Sequence, residues 1–395
     1  MAERGGTGLR VLHVFNRHRH GGGSDNAWDA TIRLSRDAGI DVRLFERDSR
    51  ALPAGLAGRV QAFASGLYPR RTLADFEAAL DLHRPDLVNT HELYPLITPF
   101  ALARAARAGV PVVHTFYDFR MSCPIATHGR EGRVCTECHD HGEWRAFTRN
   151  CRDNRAESAA FALRSAIARQ LDLYRRHVSH FIVLSPFARD WLIEHHDVSP
   201  DRITVSGCAI TAPASGVDPV AGTYIGFAGR PVPEKGIAVL TAAAAIAGLP
   251  VRIAIPAGAP MPEGLGEHVS VIATQGPDEL AAFYRGARAL VVPSQWFETF
   301  AIVAGEALGH GVPVIASDIG ALANTVVRDE TGLLVPPGDA PALAAAMRRL
   351  WDDDALTRRL GAAGRARTLS EFSGEAHVAH VREAYARALA QGPMR

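Results

Sequence analysis

The stretch Tyr224-Ile225-Gly226-Phe227-Ala228-Gly229-Arg230-Pro231-Val232-Pro233-Glu234-Lys235-Gly236 decides the fold. Five apolar or small residues of strand length run into a turn-rich segment, and a helix follows it. A strand feeding a loop and then a helix opens a βαβ unit, and hence a parallel sheet. The loop is also an anion site in outline. Arg230 and Lys235 bring two cations, the glycines allow close backbone approach, and the next helix adds its N-terminal amides. A diphosphate fits such a loop; a surface turn with a solvated lysine has the same composition. Lys235 is the only lysine among 43 basic residues.

Downstream the alternation continues, with Val251 to Ile255, Val269 to Ile272, Ala289 to Val292 and Pro313 to Ala316 reading as strands. Helices lie between them, one N-capped by Asp278 and another by Asp339. The strand ending at Val292 leads into Pro293-Ser294-Gln295-Trp296-Phe297-Glu298-Thr299-Phe300-Ala301-Ile302-Val303-Ala304-Gly305-Glu306. With a helix beginning just after Glu298, that residue stands at the helix mouth beside free amides, and Glu306 lies about two turns further in. Carboxylates so placed can grip hydroxyls. Glu306, inside an otherwise apolar helix, is the more telling, because an unpaired carboxylate on a core face is costly. Its structural alternative is an ion pair with an arginine.

Upstream, residues 211–222 are small, turn-forming and aperiodic, as a linker is. This divides the chain into a first domain, 1–210, and a second, 223–371, followed by a helical segment, 372–395. The first domain repeats the alternation. Val11 to Phe15, Leu87 to Val88, Val112 to Thr115 and Phe181 to Leu184 are strand-length, and a long helix is expected around 155–178. Val11 to Phe15 leads through a basic loop, Asn16 to His20, to Gly21-Gly22-Gly23 and a helix. Neither a dinucleotide fingerprint nor a phosphate-loop Gly-Lys-Ser/Thr is present, so nicotinamide and simple nucleotidase readings lose support. Two parallel sheets joined by a linker turn the carboxyl ends of their strands toward a shared cleft, where open α/β sheets bind ligands.

Four of the five cysteines fall in a segment, 120–152, that interrupts the first domain: Cys123, Cys135, Cys138 and Cys151. One CxxC with two flanking cysteines can supply four thiolates to a structural zinc ion; reduced, partly buried thiols are the alternative reading. Cys208 reads as a core residue, and Asp352-Asp353-Asp354 as a solvated helix end. A formal charge of +1 implies no field suited to nucleic acid. No segment is long and apolar enough to span a bilayer, and the first ten residues lack the apolar core of a secretory signal, so a cytoplasmic protein is expected.

These motifs resemble the retaining glycosyltransferases of family 4, which adopt the GT-B fold. The resemblance rests on Gly229-Arg230 with Glu234-Lys235-Gly236, and on the spacing of Glu298 and Glu306 in the frame Pro293 to Ser317. It continues through Thr331 to Val335, Pro337-Gly338-Asp339 and the last helix, which in such enzymes crosses back to the first domain. In the first domain, Gly22-Gly23, Asp86 to His91, Thr115 to Pro124 and the spaced cysteines resemble a cysteine-bearing subset.

The resemblance implies transfer of a hexose from a nucleotide-diphosphate donor of UDP or GDP type to an acceptor hydroxyl, with retention and without a required metal or cofactor. The acceptor class stays open among glycan, lipid-linked and small-molecule hydroxyls, and so does a peripheral membrane contact. It assigns Arg230 and Lys235 to the donor diphosphate, Glu306 to the ribose hydroxyls and Glu298 to the donor sugar. The backbone of Thr299, Phe300 and Ala301 would lie near sugar and phosphates, and Gly22 and Gly23 would approach from the first domain. The chain departs at Tyr117, where members usually carry histidine before an aspartate, here Asp118. His91 and His114 are nearby candidates to take over from it. A non-catalytic nucleotide-sugar-binding protein and a GT-B epimerase are the competing functions.

Overall fold

The computed structural model of the chain describes residues 8–18, 22–53 and 55–394. In the first domain β1 (Arg10–Arg17), β2 (Asp41–Asp48), β3 (Leu87–Thr90) and β4 (Val112–Phe116) precede a short antiparallel hairpin, β5 (Gly129–Arg130) and β6 (Arg133–Val134). β7 (His180–Val183) and β8 (Ile203–Val205) follow. All but the hairpin form one parallel sheet in the order β2-β1-β3-β4-β7-β8. The second domain contributes β9 (Tyr224–Ala228), β10 (Val251–Pro256), β11 (Val269–Thr274), β12 (Ala287–Val292), β13 (Val314–Ser317) and β14 (Gly332–Val335). They form a second parallel sheet, ordered β11-β10-β9-β12-β13-β14.

Both orders reverse direction once, between β1 and β3 in the first sheet and between β9 and β12 in the second. At such a reversal the loops leaving adjacent strands run to opposite faces and leave a crevice at the carboxyl edge. The glycine loop after β1, the His91 segment after β3, the Lys235 loop after β9 and the Glu298 loop after β12 are therefore the four segments the topology presents to the cleft.

The inner strands are buried throughout, as helices on both faces require. β2 escapes a periodicity reading because it is an edge strand rich in charge, Asp-Val-Arg-Leu-Phe-Glu-Arg-Asp, which discourages further pairing. The expected helix over 155–178 is two helices, Arg155–Gln170 and Leu173–His177, because Asp172 adopts a left-handed conformation with φ 51°. Asp278 is not a cap: Pro277 opens that helix and Gly276 occupies the cap position. Asp339 does cap its helix, its side chain accepting from the Ala342 amide at 2.8 Å. Asp353 caps the helix Asp354–Glu371, and Asp354 pairs with Arg288, so the aspartate run is a helix junction.

The helix Gly374–Gln391 lies on the first sheet. Val381, Ala384, Tyr385 and Ala388 share a cluster with Val11, Leu87, Val113 and Ile182. Buried polar contacts anchor it: the Asn89 amide donates to the Tyr385 hydroxyl at 2.8 Å, and the His377 ring sits 3.0 Å from both Thr31 Oγ1 and Ser206 Oγ. Among the described residues no helix is long and apolar enough to cross a membrane.

Candidate functional site

The loop after β9 can approach the loop after β12 because residue 236 is glycine. Its φ is +75°, and a β-carbon there would lie 2.0 Å from the Pro293 carbonyl oxygen, so any other residue would push the loops apart. The approach is sealed by a hydrogen bond from the Gln295 amide to the Glu234 carbonyl at 2.7 Å. Lys235 is thereby delivered to Glu298, and its Nζ donates to Glu298 Oε1 at 2.6 Å. Two more donors converge on the same oxygen, Ser294 Oγ at 2.7 Å and Trp296 Nε1 at 2.9 Å. Burial works to raise the Glu298 carboxyl, but the Lys235 ammonium and these hydrogen bonds outweigh it and hold the group below the usual carboxylate range. Glu298 is an anion with one oxygen fully engaged.

Each residue after it has a distinct partner. Thr299 Oγ1 donates to the Tyr117 carbonyl at 2.9 Å, a clasp between the domains. Phe300 packs with Phe372, Cys208, Ile210 and Leu184, and its carbonyl accepts from Thr325 Oγ1 at 2.6 Å. Ala301 has φ +67°, a left-handed conformation unfavourable for alanine. The helix starts only at Ile302. Glu298 therefore lies in the loop, three residues before the helix cap at Ala301, and not at the helix mouth.

Glu306 stands inside that helix, and its partner is not an arginine. The Tyr284 hydroxyl donates to its Oε2 at 2.7 Å, while burial pushes its carboxyl above the usual range. Arg230 is exposed at the end of β9 and makes no ion pair among the described residues. Lys235 and Glu298 are thus joined directly, while Arg230 and Glu306 stand apart from that pair.

On the first-domain side, Gly22 caps the helix Gly23–Asp37, and a β-carbon on Gly23 would sit 3.4 Å from Ile302 Cδ1 across the cleft. Arg19, His20 and Gly21 lie outside the described residues. The Tyr117 ring stacks on His91 (centroids 5.7 Å apart, 21° between planes) and packs against the cluster of Phe300, Phe372 and Cys208, with its phenol beside Thr31. Burial raises the phenol, so it stays neutral. His91 Nε2 lies 3.1 Å from His13 Nδ1, while His91 Nδ1 is buried without a partner among the described residues. His114 is pushed down to about 4 by burial, its Nδ1 bonded to Thr90 Oγ1 at 2.9 Å. Neither histidine carries charge near neutral pH.

His91, His114, Tyr117 and Asp118 line one small cavity with Glu92 and Arg120. Arg120 reaches Asp118 at 2.6 Å and Glu92 at 3.4 Å. Burial raises Asp118, whereas for Glu92 the Arg120 and His18 interactions overcome burial and lower it. Sequence reasoning missed Glu92 and Arg120. It also missed Ser294, Trp296 and Tyr284, whose donors orient the two glutamates; for Ser294 and Trp296 the available signal was their place in the Glu298 loop, whereas Tyr284 comes from another helix and gave none.

Cys123, Cys135, Cys138 and Cys151, read either as ligands of a structural zinc ion or as reduced thiols, come together in one part of the first domain. Among the described residues no group of three or more His, Cys, Asp or Glu side chains is arranged to hold a metal, and all five cysteines are free. Cys123 joins the main first-domain core and Cys138 is buried against Ala146 and Ala162 with Cys151 beside it, yet the thiols of Cys123, Cys135, Cys138 and Cys151 lie close enough to act on one another. Burial pushes Cys138 up to about 12 and Cys151 up to about 11, so both are neutral thiols.

Residues 8–209, more than half of the chain, match the family described as glycosyl transferase 4-like domain, and residues 262–367 match glycosyl transferases group 1. The D-inositol 3-phosphate glycosyltransferase of Corynebacterium glutamicum is 33% identical over 233 residues, 50% of this chain and 55% of that protein. A glycogen synthase of Mycobacterium tuberculosis is 42% identical over 94 residues, 24% of this chain and 22% of its own. The matched stretches span about half the length, or less, of these curated relatives. Among solved structures, sucrose-phosphate synthase from Thermosynechococcus elongatus superposes with a TM-score of 0.72 at 22% identity, covering 97% of this chain and 99% of that one. Anabaena HepE in complex with UDP-glucose gives 0.62 at 17% identity, covering 96% and 99%. At such identities these two show the fold alone. With the two family matches, two parallel sheets and the facing loops at their switch points, the chain is a member of the family 4 type of glycosyltransferases, with the GT-B fold.

Proposed function

We propose that the chain transfers a sugar from a nucleotide-diphosphate donor to an acceptor hydroxyl with retention of anomeric configuration. The observation that carries this reading is the Lys235–Glu298 pair, built from the loops on either side of the second sheet's switch point and clasped to Tyr117 of the first domain. In it, Arg230 and Lys235 take the diphosphate and offset charge on the departing nucleotide. Glu306 accepts from the ribose hydroxyls, and Glu298 from a donor-sugar hydroxyl. The C1–phosphate bond breaks as the C1–acceptor oxygen bond forms on the same face. The acceptor's proton passes to the departing phosphate oxygen, so no carboxylate serves as nucleophile. The cavity at His91, Glu92, Asp118 and Arg120 is the acceptor side. A UDP-type donor has the support of the UDP-glucose complex of the HepE structure.

A second reading, donor binding without transfer, is favoured by Tyr117, whose buried, neutral phenol occupies the position where members usually carry histidine. Thermal stabilisation by UDP, GDP, ADP and dTDP, with Lys235→Ala in parallel, tests the donor site. One nucleotide is expected to stabilise the wild type and to lose that effect in the variant. Transfer from the matching nucleotide sugar, with the product anomer read by NMR, separates the two readings: an inverted product removes the retaining mechanism, and binding without product favours the second. Stabilisation by none of the four at millimolar concentration would sink both.

A further inference from the structure

Trp296 has neighbours in both domains. Its Nε1 donates to Glu298 Oε1, and the Lys235 ammonium lies 5.3 Å from its ring centroid. From the first domain, the β5–β6 hairpin of the cysteine-bearing excursion covers the same side chain. A β-carbon on Gly129 would lie 3.2 Å from Trp296 Cβ, 3.3 Å from its Cε3 and 3.5 Å from Glu234 Cγ. The Gly129 backbone thus rests directly on the indole, and only a residue without a side chain reaches it undistorted.

The hairpin is held there firmly. The Cys135 amide donates to the His128 carbonyl at 2.7 Å, His128 Nδ1 meets the Cys135 carbonyl at 2.8 Å, and His128 Nε2 lies 2.8 Å from Ser122 Oγ. Ala126, His128 and Glu131 all have positive φ (75°, 47° and 50°), conformations that persist only where the surroundings impose them. On the other side of the contact, Oε1 of Glu298 takes all three donors and Oε2 has no partner among the described residues. An ammonium is a point charge that can follow a carboxylate through many orientations. An indole N–H on a packed ring cannot, so Trp296 sets the direction in which Oε2 faces.

We infer that Trp296 is a positioning residue for Glu298, and that the cysteine-bearing excursion, through Gly129, holds the indole in place as the first domain seats on the second. This rests on the reading of Glu298 as the contact to the donor sugar. The excursion is then part of the reaction machinery of the second domain, although it belongs to the first.

The test uses the full chain as Trp296→Phe, Gly129→Ala and the pair, with Gly132→Asn as control. Gly132 lies in the same hairpin at φ +69°, which asparagine tolerates, and a β-carbon there meets nothing within 4 Å. Hydrogen exchange of the Trp296 indole is followed by NMR, its signal assigned by loss in Trp296→Phe. It is expected to be slow in the wild type and in Gly132→Asn, and about tenfold faster or more in Gly129→Ala. With the nucleotide sugar that the wild type uses, Trp296→Phe and Gly129→Ala should each lower kcat and kcat/KM together by about tenfold, the loss of one hydrogen bond to a charged group. The pair should do no worse than either alone. Unchanged exchange in Gly129→Ala, or losses that multiply in the pair, overturn the inference. Wild-type turnover with variants that match it removes the positioning role and leaves the donor site intact. A wild type that binds no nucleotide and transfers nothing removes the donor site itself and the positioning role with it. Trp296→Phe, which keeps the ring, carries the kinetic test if Gly129→Ala does not fold.

Discussion

Beneath the inner strands of the first sheet lie buried polar side chains: His13, Asn89, Thr90, His114, Thr115 and His180. The corresponding strands of the second sheet, β9, β12 and β13, bury chiefly aliphatic and aromatic side chains, with Arg288 tied off by Asp354. Of 17 histidines only His268 and His310 fall between residues 223 and 371. One architecture thus holds two kinds of core. Buried histidines tie the first domain's stability to protons; the second domain instead concentrates its decisive charges in loops at the carboxyl edge. The difference teaches that acid and mutagenesis should injure this molecule in different places.

The largest expected effect is the acid one. Burial lowers His13 to about 3 and His114 and His377 to about 4, against an ordinary 6.5. Between about pH 4 and 6.5 the unfolded chain therefore binds more protons than the folded one, so this stability is complete above 6.5 and is lost as pH falls toward 4. Limited proteolysis across that window should cut the first domain before the second; simultaneous loss, or the reverse order, would break the comparison. Next comes Lys235→Ala, expected to lower turnover by about a hundredfold or more while leaving the acid transition where it was. A shifted transition would mean that Lys235 supports the fold more than the chemistry.

Smaller effects sharpen the boundary between the two regions. Tyr117→Phe keeps the stack on His91 and removes only the buried phenol oxygen, so stability should change by less than about 1 kcal/mol, read as a urea midpoint close to wild type at unchanged slope. Tyr117→His should fold and alter relative rates across a panel of nucleotide sugars; equal ratios to wild type would detach this residue from donor choice. The smallest is Ala301→Gly, which relieves a left-handed alanine and should raise stability by about 0.5–1 kcal/mol. A loss there would show that the alanine methyl earns its place in packing.

What was readable in the sequence follows from what local patterns encode. β9 and β12 are inner strands, so continuous apolar runs identified them, and the loops that leave them carry the two cations and Glu298. β2 was unreadable because an edge strand shows charge where an inner one shows valine. Glu298 was expected at a helix mouth because nothing in an alanine announces positive φ, as a glycine would; three residues of irregular backbone therefore went unseen. Glu306 read as a costly buried carboxylate, which it is, yet its Tyr284 partner comes from another helix and no spacing rule connects them. The cysteines show the same limit: spacing offered either four ligands or reduced thiols, and nothing in the spacing told that Cys123 packs into the main core while Cys138 packs against Ala146 and Ala162.

The helix Gly374–Gln391 has a further consequence, for the order in which the molecule can be made. Tyr385 completes a contact with Asn89, 296 residues earlier, and with its neighbours shields one face of the oldest part of the chain. A ribosome releasing this protein exposes Val11, Leu87, Val113 and Ile182 long before their cover emerges, because loop closure over such a distance waits for synthesis. The half of the molecule translated first is the half whose last covering helix is translated after the whole second domain.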